Sequence, residues 1–143
     1  MSTTAPIKYE REIPEILAQL GQVEAAVAGL GLAKPIYHLI KLRASQINGC
    51  AFCVKMHLRE ARADGESNDR LDRLVVWRHV ADFSAAEHAA LAWTEALTTL
   101  DERTDYGALR EALREHYSEQ LIGAISAAVA MINLWNRLQV SKH

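Results

Sequence analysis

Glycine, proline and aromatic residues are all scarce in this chain. Its 143 residues include 7 glycines, 3 prolines and 6% aromatics, whereas half are hydrophobic, mainly alanine and leucine. So few helix breakers favour a helical class over a sheet, and no segment shows the period-two alternation of a half-buried strand. The sequence therefore predicts an all-α fold, with residues 1–143 forming one domain around its own core.

An excess of charge of either sign is also missing. The chain has 16 Lys and Arg residues against 18 Asp and Glu residues, which gives a formal net charge of −2. It has no basic face and no arginine-rich tail, so nucleic acid is not an expected partner.

No hydrophobic run is long enough to cross a bilayer. The most apolar stretch, 121–135, is shorter than the ~20 residues that a spanning helix needs, and Ser126 and Asn133 interrupt it. The residues after Met1 lack the basic and apolar regions of a signal peptide. We therefore expect no membrane partner and a cytoplasmic location.

Apolar residues recur at helical spacing along most of the chain. Together with capping and breaking signals, they predict six to seven helices, at about 12–30, 34–47, 50–63, 67–80, 84–100, 106–117 and 118–140. The last helix is apolar nearly all round, and such a helix must be covered on several sides. We expect it at the interface of a homo-oligomer; a central core helix in a monomer is the alternative.

The two cysteines of the chain, Cys50 and Cys53, stand three residues apart, with His57 four residues further on. If a helix begins after Gly49, the three side chains share one face of it. Two thiols and an imidazole on one stripe indicate a redox-active or metal-binding site. The spacing puts the Cα atoms roughly 5–6 Å apart, within reach of a disulfide. So short a loop contributes only ~2 kcal/mol, which suits a bond that is made and broken.

Reactivity requires a thiolate. A helix N-terminus stabilises a nearby thiolate by at most ~1 kcal/mol, whereas lowering a thiol pKa from ~8.5 to ~7 takes about 2 kcal/mol of stabilisation. A cation must supply the rest, and His57 is the obvious candidate, one turn from Cys53 and two turns from Cys50. Cys53 would then attack, and Cys50 would close the disulfide; the opposite assignment, in which Cys50 gains most from the helix end, stays open. Lys41 and Arg43 are interpreted as solvated.

Two other functions fit the same residues. Cys50, Cys53, His57 and His38 could bind zinc, although structural zinc usually holds loops or knuckles rather than one helix face. The chain could also be a catalytically silent helical interaction module with vestigial cysteines. Elsewhere, Glu87 is interpreted as a helix cap, and Trp93 and Trp135 as core or interface aromatics.

A family resemblance is carried by residues 39–57, which read Leu-Ile-Lys-Leu-Arg-Ala-Ser-Gln-Ile-Asn-Gly-Cys-Ala-Phe-Cys-Val-Lys-Met-His. This run resembles the alkyl hydroperoxidase D-like branch of the carboxymuconolactone decarboxylase family. The resemblance continues at 84–96 and 132–138 and covers most of the chain from about residue 35, with its motif core at 38–64. It implies an all-helical trimer or hexamer without a cofactor. It also implies a peroxidase in which a cysteine pair reduces organic hydroperoxides, is oxidised to a disulfide, and is returned to the dithiol by an external dithiol or protein reductant.

The resemblance also implies roles for single residues. The peroxide-attacking cysteine of the family corresponds to Cys53, its resolving partner to Cys50 and its relay histidine to His57. Two positions depart from the family pattern: His38 stands where the family has a glutamate base, and Phe52 where characterised peroxidases have a histidine. Because His38 can accept a proton near neutral pH, we expect a relay from imidazole to imidazole. With these departures, weak peroxidase activity or a different disulfide or oxidant as the natural substrate is the alternative to an efficient organic hydroperoxidase. The decarboxylase branch lacks the cysteine pair, so lactone decarboxylation is not expected.

Overall fold

The computed structural model describes residues 3–142, so residues 1, 2 and 143 at the ends of the predicted domain lie outside the described part. Within that range there are eight α-helices and no strand. The helices are α1 Tyr9–Glu12, α2 Pro14–Ala28, α3 Lys34–Ile47, α4 Ala51–Ala63, α5 Asn68–Arg73, α6 Ala85–Thr99, α7 Tyr106–Arg114 and α8 Glu119–Lys142, with a 3₁₀ helix at Leu74–His79. The predicted all-α fold is confirmed.

Most helix ends lie where local signals predicted them. Gly49 follows α3 with φ of 66°, and Ser84 and Glu87 form both hydrogen bonds of a capping box at α6. Three elements differ from the prediction, one of them α7, which ends at Arg114 rather than at about residue 117. Helix α1 spans four residues, too few to give a periodic apolar pattern. The predicted helix at 67–80 ends at Arg73 and continues as the 3₁₀ helix, where Val76 leaves helical backbone angles.

The core consists of two clusters of buried side chains to which α3 and α6 both contribute. One cluster joins these helices to α2, α7 and α8 and includes Ile40, Trp93 and Ile125. The other joins them to α4, α5 and the 3₁₀ helix and includes Leu42 and Leu74. Each fully buried side chain of this size contributes about 1.5–3 kcal/mol. Helix α3 is therefore held on several sides, and this fixes the turn that leads to Cys50.

Helix α8 is long and apolar enough to cross a membrane by length and composition alone. It packs against α2, α3, α4, α6 and α7, and 44% of its most apolar window is buried inside the protein. The core helix of a globular protein has the same properties, so its apolar character is weak evidence for a membrane span. Packing within the chain already covers several of its sides.

Buried amides connect α8 to the end of α3, just before the cysteines. Asn136 is fully buried and donates to Ser45 Oγ at 3.0 Å. Asn48 Nδ2 donates to the side-chain oxygens of Asn133 at 2.9 Å and Asn136 at 3.0 Å. Such satisfied buried networks fix one arrangement of the helices they join. The network therefore sets the position of the turn at residues 48–50 relative to α8.

A half-buried carboxylate joins three elements of the fold. Glu95 on α6 accepts from Arg43 Nε at 2.9 Å, from Trp77 Nε1 at 2.7 Å and from Arg78. Burial acts to raise the pKa of Glu95, but the hydrogen bonds from Arg78, Trp77 and Arg43 together hold it below the ordinary value of 4.5. Arg43 is thus paired rather than solvated, which corrects the sequence-based interpretation.

We expect Glu95→Gln to lower the free energy of unfolding by about 2–4 kcal/mol, because Arg43 loses its carboxylate while its side chain stays mostly buried. The folded pKa of Glu95 lies below the unfolded value. The contribution of Glu95 to the free energy of unfolding is therefore complete above about pH 4.5 and is lost as the pH falls through the folded pKa.

Urea unfolding at neutral and acidic pH tests this expectation. The stability gap between wild type and Glu95→Gln should narrow as the pH falls, and exposed Glu102→Gln serves as the control with little effect. A gap of constant size down to acidic pH would contradict the assigned role of the carboxylate.

Candidate active site

Cys50 caps helix α4 rather than lying in its first turn. Its backbone is extended (φ −84°, ψ 93°), and its Sγ accepts the backbone N–H of Cys53 at 3.3 Å. The backbone carbonyl of Cys50 accepts from Val54 at 2.9 Å, as an N-cap carbonyl does. The two cysteines form a disulfide with Cα atoms 5.3 Å apart, within the range that their spacing predicts. The predicted start of the helix at Cys50 is therefore early by one residue.

The two cysteines border different openings. Cys53 and His57 line a cavity of about 340 Å³ bounded by α2, α3, α4 and α8. Cys50 instead lines a groove of about 520 Å³ along α4. Cys53 and His57 thus share one opening, whereas Cys50, although bonded to Cys53, borders the other. Because Cys50 and Cys53 are only 2% and 3% exposed, a reactant has to approach through one of these openings.

The walls of the Cys53 cavity are largely apolar. Phe52, Met56, Ile132 and Trp135 line it beside the cysteine. Trp135, interpreted from the sequence as a core or interface aromatic, donates its Nε1–H to Glu24 at 3.2 Å and so presents its ring to the cavity. Apolar walls with a few placed polar groups are typical of small-molecule sites.

His57 is buried beside Cys53 and is held by a carboxylate. Its Nδ1 lies 3.1 Å from Glu60 Oε2, and its buried Nε2 has no hydrogen-bond partner among residues 3–142. Burial lowers the pKa of His57 below the ordinary 6.5, although the Glu60 hydrogen bond acts to raise it. His57 is therefore neutral at pH 7 and suited to accept a proton. The sequence predicts His57 as the cation that favours the thiolate; burial makes it a neutral base instead.

Lys41 is a cation at this cavity. Its Nζ lies 4.0 Å from the ring centroid of Tyr37, and the side chain lines the cavity together with Glu24 and Glu60. Burial lowers the pKa of Lys41, while the carboxylates of Glu60 and Glu24 act to raise it. The interpretation of Lys41 as a solvated residue is wrong, because α3 turns this side chain toward the cavity.

His38 lies in a different cavity. Its Nε2 is 2.6 Å from Asp64 Oδ2, and it shares a cavity of about 250 Å³ with Asp64 and Arg70. Its buried Nδ1, like the Nε2 of His57, has no partner in the described chain. The structure therefore brings Cys50, Cys53 and His57 together. His38 is held by Asp64 in another cavity, from which it still acts electrostatically to lower the pKa of His57.

The predicted zinc ligands do not form one cluster. Cys50 and Cys53 are bonded to each other, and His38 is paired with Asp64. Across residues 3–142, no group of three or more His, Cys, Asp or Glu side chains is placed to hold a metal ion. A disulfide leaves no thiolate for zinc, so the arrangement fits redox chemistry better than metal binding.

Sequence reasoning missed several residues of the cavity. Glu60 could have been found, because it lies three residues after His57 and so on the same side of α4. Lys41, Glu24 and Trp135 come from α3, α2 and α8, and no local spacing connects them to the cysteines. Glu87, in contrast, has its predicted capping role and also binds Arg70.

The sequence profile of the carboxymuconolactone decarboxylase family matches residues 12–96, more than half of the chain. The chain belongs to this family. Among its relatives, the uncharacterized protein YdfG of Bacillus subtilis (strain 168) is 32% identical over 135 residues, which are 94% of this chain and 92% of that protein.

Solved structures place the chain with the AhpD-like members of the carboxymuconolactone decarboxylase family. A crystal structure from Agrobacterium tumefaciens matches with a TM-score of 0.91 and 40% identity, over 97% of this chain and 95% of that one. That protein is of unknown function and is named provisionally as the antioxidant defence protein AhpD. The debrominase Bmp8 matches with a TM-score of 0.82 but 20% identity, over 92% and 70% of the chains, which shows a common fold alone. The resemblance read from the sequence is confirmed.

Proposed function

We propose that this carboxymuconolactone decarboxylase family protein is a cytoplasmic thiol-dependent peroxidase, or a disulfide oxidoreductase of the same chemistry, acting on organic hydroperoxides. One observation carries the proposal: Cys53, in a disulfide with Cys50, lines an apolar cavity beside a buried neutral His57. Members of the family are enzymes, and the AhpD name of the Agrobacterium structure supports an antioxidant role.

In the proposed reaction, His57 Nε2 accepts the proton of the reduced Cys53 thiol. The thiolate attacks the terminal oxygen of the hydroperoxide, the O–O bond breaks, and the alkoxide takes the proton back from His57. Cys53 is left as a sulfenic acid. The Cys50 thiol then attacks the Cys53 sulfur, the sulfenic oxygen departs as water, and the disulfide forms. An external dithiol or protein reductant restores both thiols.

The surrounding residues support each charged species in turn. Glu60 at Nδ1 stabilises the imidazolium that His57 becomes, and Lys41 favours the thiolate and the departing alkoxide. The backbone N–H of Cys53, which points at Cys50 Sγ, would stabilise negative charge on Cys50 when the bond opens. The apolar walls suit the organic group of a hydroperoxide.

We expect Glu60→Gln to slow the oxidation of Cys53 about tenfold, because glutamine still accepts from Nδ1 but carries no charge to stabilise the imidazolium. His38→Gln should have a smaller effect, since His38 does not line the Cys53 cavity. Single-turnover consumption of hydroperoxide by each reduced variant measures both rates. If His38→Gln is the slower variant, the proton passes from imidazole to imidazole, as the sequence predicted, and Glu60 is not the group that supports His57.

Turnover of cumene hydroperoxide with dithiothreitol as the reductant tests the proposed function. The wild-type protein should consume many equivalents of hydroperoxide per chain, and protein alkylated at both cysteines should consume none. Absence of turnover, combined with about one zinc per chain in protein purified without chelators, would instead support the zinc-binding alternative.

Two expectations from the sequence belong to this proposal. We propose that the chain forms one domain, since α3 and α6 contribute to both core clusters. We also propose a homotrimer or homohexamer, as the family resemblance implies. Light scattering during size-exclusion chromatography measures the mass of the assembly.

A further inference from the structure

We propose that the groove along α4 is the docking site of the reductant, an acidic protein dithiol that attacks Cys50 rather than Cys53. This inference rests on the proposed redox function and adds to it a surface, a partner chemistry and a direction of attack. The disulfide borders two separate openings.

The geometry assigns one sulfur to each opening. The cavity that holds His57 is lined by Cys53 and not by Cys50, and the groove is lined by Cys50 and not by Cys53. A thiolate attacks a disulfide along the S–S axis, so an attacker in the groove meets Cys50 and expels Cys53. The leaving Cys53 thiolate is then released into the cavity that Lys41 lines, where the cation stabilises it until it takes up a proton.

The groove is also open enough at the surface for a protein loop to reach Cys50. It measures about 520 Å³ and is shallow, with Val54 and Leu58 forming an apolar floor beside Cys50. A Cβ placed on Gly49 would meet nothing within 4 Å, so the surface next to Cys50 is open. A chain that presents a dithiol on a projecting loop could therefore reach the sulfur without entering the substrate cavity.

The charge of the groove indicates that its partner is acidic. Lys55 and Arg62 line it, exposed Arg59 stands between them at helical spacing, and within the described chain no carboxylate lines it. Arg62 donates its Nε–H to the uncharged amide of Asn68 at 2.9 Å, so its charge is not neutralised there. The chain as a whole has a net charge of −2. The basic rim nevertheless makes the groove positive, so it attracts an acidic partner to this part of the surface.

The proposed exchange balances as a two-electron reduction. A partner thiolate bonds to Cys50 Sγ, and the Cys50–Cys53 bond breaks with its electron pair on Cys53. The second thiolate of the partner then attacks the partner sulfur of this mixed disulfide and releases Cys50 as a thiolate. The partner ends as a disulfide, and its two protons end on Cys50 and Cys53.

Two dithiol peptides test the charge of the docking site. Both carry a central Cys-Gly-Pro-Cys, flanked by glutamates in one and by lysines in the other, and dithiothreitol is the uncharged reference. With the oxidised protein at low ionic strength, we expect the glutamate peptide to reduce the disulfide about tenfold faster than the lysine peptide, and the difference to vanish at high salt. Equal rates, or a faster lysine peptide, would overturn the proposal.

Charge-reversed variants locate the site. Lys55→Glu with Arg62→Glu should reverse the preference, whereas the control Lys8→Glu with Arg110→Glu, an equal change of charge outside the groove, should keep it. Dithiothreitol should reduce all three proteins at the same rate. If both double variants behave alike, the preference does not come from the groove and the proposal fails.

The direction of attack has its own readout. A glutamate peptide whose second cysteine is serine can be reacted with the oxidised protein and quenched with iodoacetamide. We expect the peptide on Cys50 and the carbamidomethyl group on Cys53, and the reverse pattern would overturn the proposal. None of these assays uses a hydroperoxide. Failure of the docking site would leave turnover with dithiothreitol intact, and failure of the peroxidase reaction would leave the peptide results intact.

Discussion

Replacing Cys53 by serine should abolish hydroperoxide reduction, with a rate at least ~10³-fold below wild type, because a serine hydroxyl is not ionised beside a neutral imidazole as a thiol is. Replacing Cys50 should give a different result. Cys50→Ser keeps the thiol that lines the cavity and the histidine beside it, so it should consume one equivalent of hydroperoxide and then stop as a sulfenic acid.

The two variants are matched in size and both remove the disulfide, so any loss of stability affects them alike. Far-ultraviolet circular dichroism should show the helical content of wild type for both. The measurements are the hydroperoxide consumed per chain and a dimedone adduct located by mass spectrometry. One equivalent consumed by Cys53→Ser and none by Cys50→Ser would assign the attack to Cys50, whose Sγ accepts a backbone N–H at the helix end.

His57→Gln should slow the reaction of the reduced protein with hydroperoxide about 10²-fold at pH 7, which is a typical contribution of a positioned base. The effect should shrink at alkaline pH, where the thiol ionises without help. In wild type, the pKa of His57 is lowered by burial, so the base is in its active neutral form above the ordinary 6.5. The rate should therefore fall only when the pH drops through the lowered pKa, in the acidic range.

A pH profile of single-turnover rates measures both features of His57. Exposed His79→Gln is the control and should reproduce the wild-type profile. A wild-type rate that instead rises as the pH falls below neutral would mean that His57 acts as an imidazolium cation, as the sequence argument assumed.

The local chemistry of the site could be predicted from the sequence because it depends on neighbours along the chain. The spacing of Cys50, Cys53 and His57 is enough to predict the disulfide and the imidazole beside Cys53. Whether Cys50 begins the helix or caps it depends on one pair of backbone angles, which spacing does not determine. As the capping residue, Cys50 borders the groove along α4, whereas Cys53 borders the cavity.

The electrostatics of the site could not be predicted in the same way. The sequence identified the need for a cation and chose His57, but burial by α2 and α8 makes that side chain neutral. Lys41 is brought to the cavity by the packing of α3 against α4, and Asp64 holds His38 in another cavity. These facts depend on tertiary packing, which decides both which charges meet and which are desolvated.

In the proposed function, the thiols of Cys50 and Cys53 are oxidised together when a hydroperoxide is reduced. Intact-mass spectrometry of the reduced protein, before and after one equivalent of cumene hydroperoxide, tests it most directly. We expect the loss of two hydrogens, mapped by digestion to a bond between Cys50 and Cys53. An unchanged mass, or added oxygen without that bond, would contradict it.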